Sequence, residues 1–508
     1  MPIRAFVLPL LCLALSSLAC APVVTFSHGV ASGDVTDTSA VLWTRTDRPS
    51  DLRLELRDAA NRIEREISVV PSAVHADKAV FHAPIGGLRP GTTYLYRFVS
   101  GGLFRSSAAE GRFRTAPAPD DDALPRFVFG GDLGGQGFCR HVERGYDVFS
   151  KMLLLEPDAF VANGDMIYAD GICPAEGPEG WPNLPGTFPS VVDVEWTLPE
   201  VREVIDAHWS YNRVDPYVLE FLAEVPVYVQ WDDHEVINDF GAGWDRWPHQ
   251  PEKPGYPELV AAGRDALFDW NPIRRNSDEP HRIYRSFRWG RHLELFLIDA
   301  RSYRSPNAMP DGPEKTLLGP AQREWLSAGV LASDATWKVI SSDVPLTLPT
   351  GWPEHYGRDG FADGVLGEGR EGTPEATGAE DELVELLERF DTADVQNLVV
   401  MATDVHFAMS LRWSKDFDGD GDELTVHELI SGPLNAVSVP AKQPDPSFGP
   451  EVLYSEGELF NFATLALRRT EAGSVDLHYA VHGAEDGLVR PGSELVLTSS
   501  DPRSSNRP

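Results

Sequence analysis

Six short apolar runs between residues 126 and 404 each stop on an aspartate. Arg126–Gly130 leads into Gly131-Asp132, and Ala159–Ala162 into Asn163-Gly164-Asp165. Val225–Trp231 leads into Asp232-Asp233-His234-Glu235, and Leu293–Ile298 into Asp299-Ala300-Arg301. Trp337–Ser341 leads into Ser342-Asp343, and Leu398–Ala402 into Thr403-Asp404-Val405-His406. Runs of this length read as buried strands. Helical patterns lie between them, at Val142–Leu155, 200–223, Glu258–Phe268, Gln322–Val330 and Glu380–Phe390. Strands alternating with helices predict an α/β domain, here a layered αββα sandwich. Open α/β sheets bind ligands at the carboxyl ends of their strands, so the six acids are predicted to share one rim. An aspartate there also caps the turn that follows, and Asp299 and Asp343 are the most easily explained that way.

Upstream the texture differs. Ala40–Thr44, Leu52–Leu56, Ile67–Val70 and Thr93–Phe98 are strand-like and separated by turn signals such as Gly33-Asp34 and Pro90-Gly91. This spacing predicts an all-β sandwich of the immunoglobulin or fibronectin-III kind over residues 23–118. The Pro- and Asp-rich linker Ala116–Asp122 closes it, and the catalytic unit is expected over 125–498, with a disordered tail at 499–508. Strands return at Leu424–Ile430, Phe460–Leu467 and Val475–Val481, and residues 171–193 read as a long Gly- and Pro-rich loop suited to a lid. Residues 1–21 carry Arg4, an apolar core and Ala19-Cys20-Ala21, the pattern of an export signal. Cleavage after Ala21 gives a periplasmic or extracellular protein, and lipidation of Cys20 an anchored one. Beyond that segment only Cys139 and Cys173 remain, to pair as a disulfide or to leave Cys139 near the rim.

A formal net charge of −34 argues against binding nucleic acid or anionic membranes through a basic surface. It also requires local positive charge wherever an anionic substrate binds. A ring of acids is self-repelling unless cations fill it, and hard ions take carboxylate and phenolate oxygens, with imidazole acceptable to iron, zinc or manganese. Two metals bridged by one carboxylate suit hydrolysis of a phosphate ester by a hydroxide attacking phosphorus. Asp165 is the bridging candidate, with Tyr168 beside it. His234, between Asp233 and Glu235, is the candidate general acid. His75, His82 and His478 read as packing or surface residues. Arg301 or Arg140 is a candidate phosphate ligand, with a structural ion pair to a rim acid as the alternative for Arg301. Asp416–Asp422 opens like a calcium loop, but His427 stands where the closing acid belongs, so it reads as a polar turn.

These motifs resemble those of the alkaline phosphatase D family of metallophosphoesterases, which includes phosphodiesterase and phospholipase D members. The likeness runs through His28-Gly29-Val30-Ala31-Ser32-Gly33-Asp34, Val41-Leu42-Trp43-Thr44-Arg45, Gly164-Asp165-Met166-Ile167-Tyr168, Trp231-Asp232-Asp233-His234-Glu235-Val236, Asp299-Ala300-Arg301-Ser302-Tyr303-Arg304 and Thr403-Asp404-Val405-His406. It implies a phosphomonoesterase or phosphodiesterase with Fe(3+) and Ca(2+), or Zn(2+) or Mn(2+) in place of Ca(2+); a monomer is expected. The implied metal ligands are Asp165, Tyr168, Asp404 and His406, then Asp233, with Asn238 in reserve. His234 is implied as the catalytic imidazole. Asp132 stands where family members carry a cysteine, as an aspartate does in purple acid phosphatases. No further ligand is evident between Ser341 and Gly364, with Asp343 and Asp363 as guesses. A calcium-dependent extracellular adhesion protein with a vestigial site and a phospholipase acting on lipid headgroups are the alternatives.

Overall fold

The structure, a computed structural model, describes residues 24–75, 78–102, 105–193, 198–241, 244, 247, 255–351, 357–364 and 377–500. The expected export signal with Cys20, and residues 501–508 of the expected tail, lie outside these residues. Before the linker the chain forms β1 (Val30–Gly33), β2 (Ser39–Thr46), β3 (Leu52–Arg57), β4 (Ile63–Val69), β5 (Ala73–His75), β6 (Lys78–Gly86), β7 (Thr93–Gly102) and β8 (Arg105–Arg114). After it come β9 (Arg126–Gly130), α1 (Val148–Leu153), β10 (Ala159–Ala162), α2 (Leu198–Arg213), α3 (Pro216–Glu224), β11 (Val227–Val229) and α4 (Tyr256–Trp270). Next are β12 (Arg285–Trp289), β13 (Leu293–Leu297), α5 (Gly319–Ala332), β14 (Trp337–Ser341), α6 (Glu380–Thr392) and β15 (Leu398–Ala402). The last strands are β16 (Ala408–Lys415), β17 (Leu424–Ile430), β18 (Glu451–Glu456), β19 (Asn461–Arg469), β20 (Val475–Gly483) and β21 (Leu495–Leu497).

Two large sheets stack face to face. One has ten strands in the order β21-β20-β19-β9-β10-β11-β1-β2-β6-β5, and the other seven in the order β12-β13-β14-β15-β17-β16-β18. β9, β10 and β11 are parallel, as are β13, β14, β15 and β17, so their carboxyl ends form two rows. Alternation along each strand builds the layers. Phe127, Phe129, Val161 and Tyr228 face Leu295, Leu297, Val339 and Met401 in the core between the sheets. Val128, Phe160, Val227 and Val229 point the other way, into a core shared with Phe149, Ile205, Phe221 and Leu267 of α1–α4. Phe296, Ile340 and Val400 do the same beneath Leu326, Leu383 and Leu387 of α5 and α6. The αββα layering is therefore as the sequence predicts.

Three expectations need correction. The N-terminal strands do enclose a core of their own, with Leu42, Leu54, Phe81 and Phe98, but the sandwich is not a separate bead. β4-β3-β7-β8 form one of its sheets, but β1, β2, β5 and β6 continue the ten-stranded sheet through a parallel pairing of β1 with β11, at Gly33 and Val227. The helix over Val142–Leu155 shrinks to α1, because His141 Nδ1 accepts from the N–H groups of Glu143 and Arg144 and holds a turn there. The helix over 200–223 breaks at Asp215-Pro216, where Asp215 caps α3 by accepting from Tyr217 and Val218. Of the expected tail, Ser499 and Ser500 are tied to Asp476 and Asn397. No helix among the described residues is long and apolar enough to cross a membrane.

Candidate metal centre

The rim is built by strand ends brought unusually close. A Cβ on Gly164, whose φ is 109°, would lie 2.5 Å from Cβ of Asp232, so only glycine lets β10 end against β11. Asp132, Asp165, Asp404 and His406 all take left-handed backbone conformations, with φ of 58°, 51°, 73° and 62°. Among residues with a Cβ, Asn, Asp and His tolerate such torsions best, and these bend the chain sharply at each strand end. Glu235, fully buried, braces the corner. Its Oε2 accepts from the N–H groups of Asp165 and Asp232, each at 2.9 Å, and its Oε1 from Met166 at 2.7 Å.

Two donor groups meet at Asp165, and a third joins Asp233 to Asp239 and Asp359. Oxygens of Asp132 and Asp165 and a ring nitrogen of His406 lie within 4.8 Å of one another, and so do donors of Asp165, Asp233 and His234. Asp165 belongs to both. The Tyr168 hydroxyl is 3.2 Å from His406 Nε2. His406 Nδ1 is held by the carbonyl of Val437, which leaves Nε2 facing the Asp132 carboxylate at 4.0 Å. Burial drives His406 down to about 4, so its imidazole is neutral and its lone pair available. Burial pushes Asp132 up to about 8, and burial with the surrounding carboxylates pushes Asp165 and Tyr168 well above their usual ranges. Both carboxylate oxygens of Asp132 are buried without a hydrogen-bond partner. Acids held together, short of donors and resisting ionisation are what a bound cation relieves, so these residues fit a metal centre.

His234 stacks on Tyr168 with ring centroids 4.2 Å apart and donates from Nδ1 to Asp170 at 2.7 Å. Burial opposes its charge, but Asp170 and Asp233 outweigh burial and raise it to about 10. Asp170 and Glu235 are neighbours of the rim to which motif reading gave no role. Asp170 lies two places beyond Tyr168 and Glu235 inside the motif of His234, and that adjacency was the available signal.

The remaining candidates separate. Arg301 is fully buried, with Nε 2.6 Å from Asp232 and Nη1 2.9 Å from Asp359. Asp359 also takes Arg304 and Asn307. The guanidinium fork is thus filled by carboxylates, which corrects the phosphate-ligand expectation in favour of the ion pair. Arg140 donates to the carbonyl of Tyr211 and anchors α2 rather than the rim. Asp299 accepts from Trp231 Nε1 and from the N–H groups of Arg301 and Ser302, and Asp343 from Ala300, so both are turn-forming caps. Asp404 is half-buried on the rim but belongs to neither donor group. Asn238 contributes its backbone N–H to Asp170, at 2.9 Å. Asp363 lies apart, with Glu380 and Asp445. Cys139 and Cys173 form a disulfide that ties the loop after β9 to the 171–193 loop. Asp416–Asp422 is a turn whose carboxylates cap its own N–H groups.

Two stacked sheets whose acid-tipped ends converge between helical layers define a metallophosphoesterase fold. The chain belongs to the PhoD-like phosphatase family, a family of phosphoesterase hydrolases: the family profile matches residues 133–474, and that of the PhoD-like phosphatase N-terminal domain matches residues 16–117. It is 26% identical over 442 residues to alkaline phosphatase D of Bacillus subtilis (strain 168), covering 80% of this chain and 68% of that protein. The solved structure of PhoD aligns with a TM-score of 0.68 at 21% identity, covering 94% of this chain and 92% of that one. A purple acid phosphatase from yellow lupin (Lupinus luteus) seeds aligns with a TM-score of 0.58 at 13% identity, covering 94% of this chain and 74% of the other.

Proposed function

We propose that this chain is an exported, monomeric, metal-dependent hydrolase of phosphate monoesters or diesters, with a centre that takes two cations bridged by Asp165. The observation that carries this reading is the membership of Asp165 in both donor groups. Asp132, Tyr168 and His406 would hold one ion, and Asp233, with Asn238 in reserve, the other, while Asp404 completes the rim. Phenolate and carboxylate donors favour Fe(3+) with Ca(2+), and Zn(2+) or Mn(2+) also suits the second place. The bound pair supplies charge neutralisation at the phosphoryl oxygens and a water of lowered pKa as nucleophile.

The chain's own residues do the rest. His234 carries a proton on Nε2 for the departing alkoxide, while Asp170 fixes its tautomer and orientation through Nδ1. Arg301 positions Asp232 and the adjoining Asp233 instead of touching substrate. Glu235 keeps Asp165 aimed into the centre. The units run as 1–21 for export, 23–118 for the sandwich and 125–498 for catalysis.

Asp165→Asn tests the reading. Elemental analysis should show loss of bound metal, and turnover of an aryl phosphate monoester and diester should fall by about 10³-fold or more. Undiminished activity in that variant would sink the mechanism.

A further inference from the structure

A cavity of about 510 Å³ borders the centre and has no part in the proposed chemistry. Its walls come from the loop after β9, the 171–193 loop, and the loops after β17, β18 and β20. Val437, on one wall, is the residue whose carbonyl holds His406 Nδ1. Three partly buried rings make the apolar side. Phe138, Trp181 and Phe460 meet edge to face, with centroids 5.8, 5.7 and 5.5 Å apart. Trp181 Nε1 donates to the Cys139 carbonyl at 3.1 Å, and Asn435 Nδ2 to the carbonyls of Phe138 and Cys139 at 3.1 and 3.0 Å. The adjoining disulfide and the bond from the Ala484 N–H to the Phe460 carbonyl, at 2.8 Å, tie down the same segments. The rings are thus set before any ligand arrives, which lowers the cost of binding one.

Acids edge this apolar side. Glu179, Glu458, Glu485 and Asp486 line the cavity against a single base, Arg490. Arg490 is already taken by Glu456, from Nη2 at 2.6 Å and from Nε at 3.2 Å. Arg144, outside the lining, pairs with Glu485 at 3.6 Å, and Lys442, whose charge is felt at His406, is not a lining residue either. Asp486 accepts the N–H of Leu488 at 2.9 Å. Glu179 and Glu458 are exposed and form no ion pair among the described residues, so acid stays in excess with both arginines counted. The Arg144 guanidinium also lies 5.5 Å from the Trp181 ring centroid, so the indole already draws one cation. A hard metal ion would need several oxygens converging on one point, and none of the four lining acids belongs to such a group. Aromatic rings edged by separated carboxylates suit a bulky cation with an apolar surface instead.

We infer that this cavity binds an organic ammonium cation, its alkyl groups against Phe138, Trp181 and Phe460 and its charge balanced by Glu179 and Glu458. The site calls on neither metal nor turnover, so it stands whether or not the proposed catalysis does.

Calorimetric titration of the full-length protein with tetramethylammonium chloride, and separately with tert-butanol as a neutral molecule of similar bulk, reads the site. Saturable binding of tetramethylammonium is expected, at least about tenfold tighter than that of tert-butanol. Trp181→Ala should weaken it about tenfold. The double variant Glu179→Gln/Glu458→Gln, at exposed positions, should weaken tetramethylammonium severalfold and leave tert-butanol unchanged. No saturable binding of tetramethylammonium, equal affinity for the two probes, or an affinity unmoved by the double glutamine variant would overturn the assignment.

Discussion

Asp170 accepts from His234 Nδ1 at 2.7 Å and from the Asn238 N–H at 2.9 Å, so one partly buried carboxylate sets both the imidazole and the loop behind it. In the proposed mechanism its role is positional, and positional roles show in the kind of substrate they affect. Asp170→Asn should lower kcat about 10²-fold on an alkyl phosphate ester, whose leaving group needs a proton. On p-nitrophenyl phosphate, whose leaving group departs unprotonated, the loss should stay under about tenfold. Steady-state kinetics on the two substrates decides the matter, and equal losses on both would remove His234 from the acid role. Arg301 makes a contrasting case. Replacing it by Met leaves Asp232 and Asp359 buried without their cation, which should cost about 3–5 kcal/mol in urea denaturation. At this scale the sequence exposed the rim acids but not their division of labour. Asp299 and Asp343 end strands just as Asp132 and Asp165 do, and only the left-handed backbone of the latter pair turns them inward. Asp359 lies where no motif marked it, because its partners Arg301 and Arg304 come from a distant segment.

Elements were legible where burial on both faces leaves an uninterrupted apolar run. β9, β14, β15 and β17 stand where their hydrophobic runs predict them. β11, inside Val225–Trp231, is shorter than its run because Pro226 cannot donate and the chain turns toward the site after Val229. β16 and β18 escaped notice, β18 because it is largely exposed and β16 because its apolar residues are interrupted by Ser, Arg and Lys. Loops gave the least away, since their order depends on distant contacts. The disulfide closes a loop across a sequence separation of 34 residues, spanning the segment that carries Asp165 and Tyr168. Chain-entropy reasoning gives such a crosslink about 3–4 kcal/mol. The double variant Cys139→Ser/Cys173→Ser should therefore open the 171–193 loop more often. Hydrogen exchange should show faster labelling there, with β14 and β15 unchanged; equal acceleration throughout would mean that the crosslink supports the whole fold instead.

For the whole molecule, the N-terminal strands form the all-β sandwich that local patterns predict, around a core of their own, but those patterns did not show that one of its sheets runs on into the next unit. A run of strands before a linker looks like a separate bead, and nothing near Gly33 announces its pairing with Val227 nearly two hundred residues on. The seam is nonetheless chemical. Asp34 receives Arg285 Nε and Nη2 and the N–H of Arg274, and Trp43 Nε1 donates to the carbonyl of Asp269. Asp269 itself meets His75 of β5 and Arg202 of α2. Burial opposes its ionisation, but His75 and Arg202 outweigh burial and bring its pKa down to about 2. A carboxyl depressed on folding stabilises the native state above its unfolded value, near 4, and that contribution is lost as pH falls through the folded value. The gap corresponds to about 2 kcal/mol, fully present at neutral pH and withdrawn progressively between about pH 4 and pH 2. Acid should therefore loosen this seam on its own schedule. Full-length protein followed by urea denaturation across that window should lose stability faster than Asp269→Asn protein, which starts lower and has nothing to lose from this group. Parallel pH profiles for the two proteins would show that the seam draws its strength from the continuous sheet and the Asp34 pair alone.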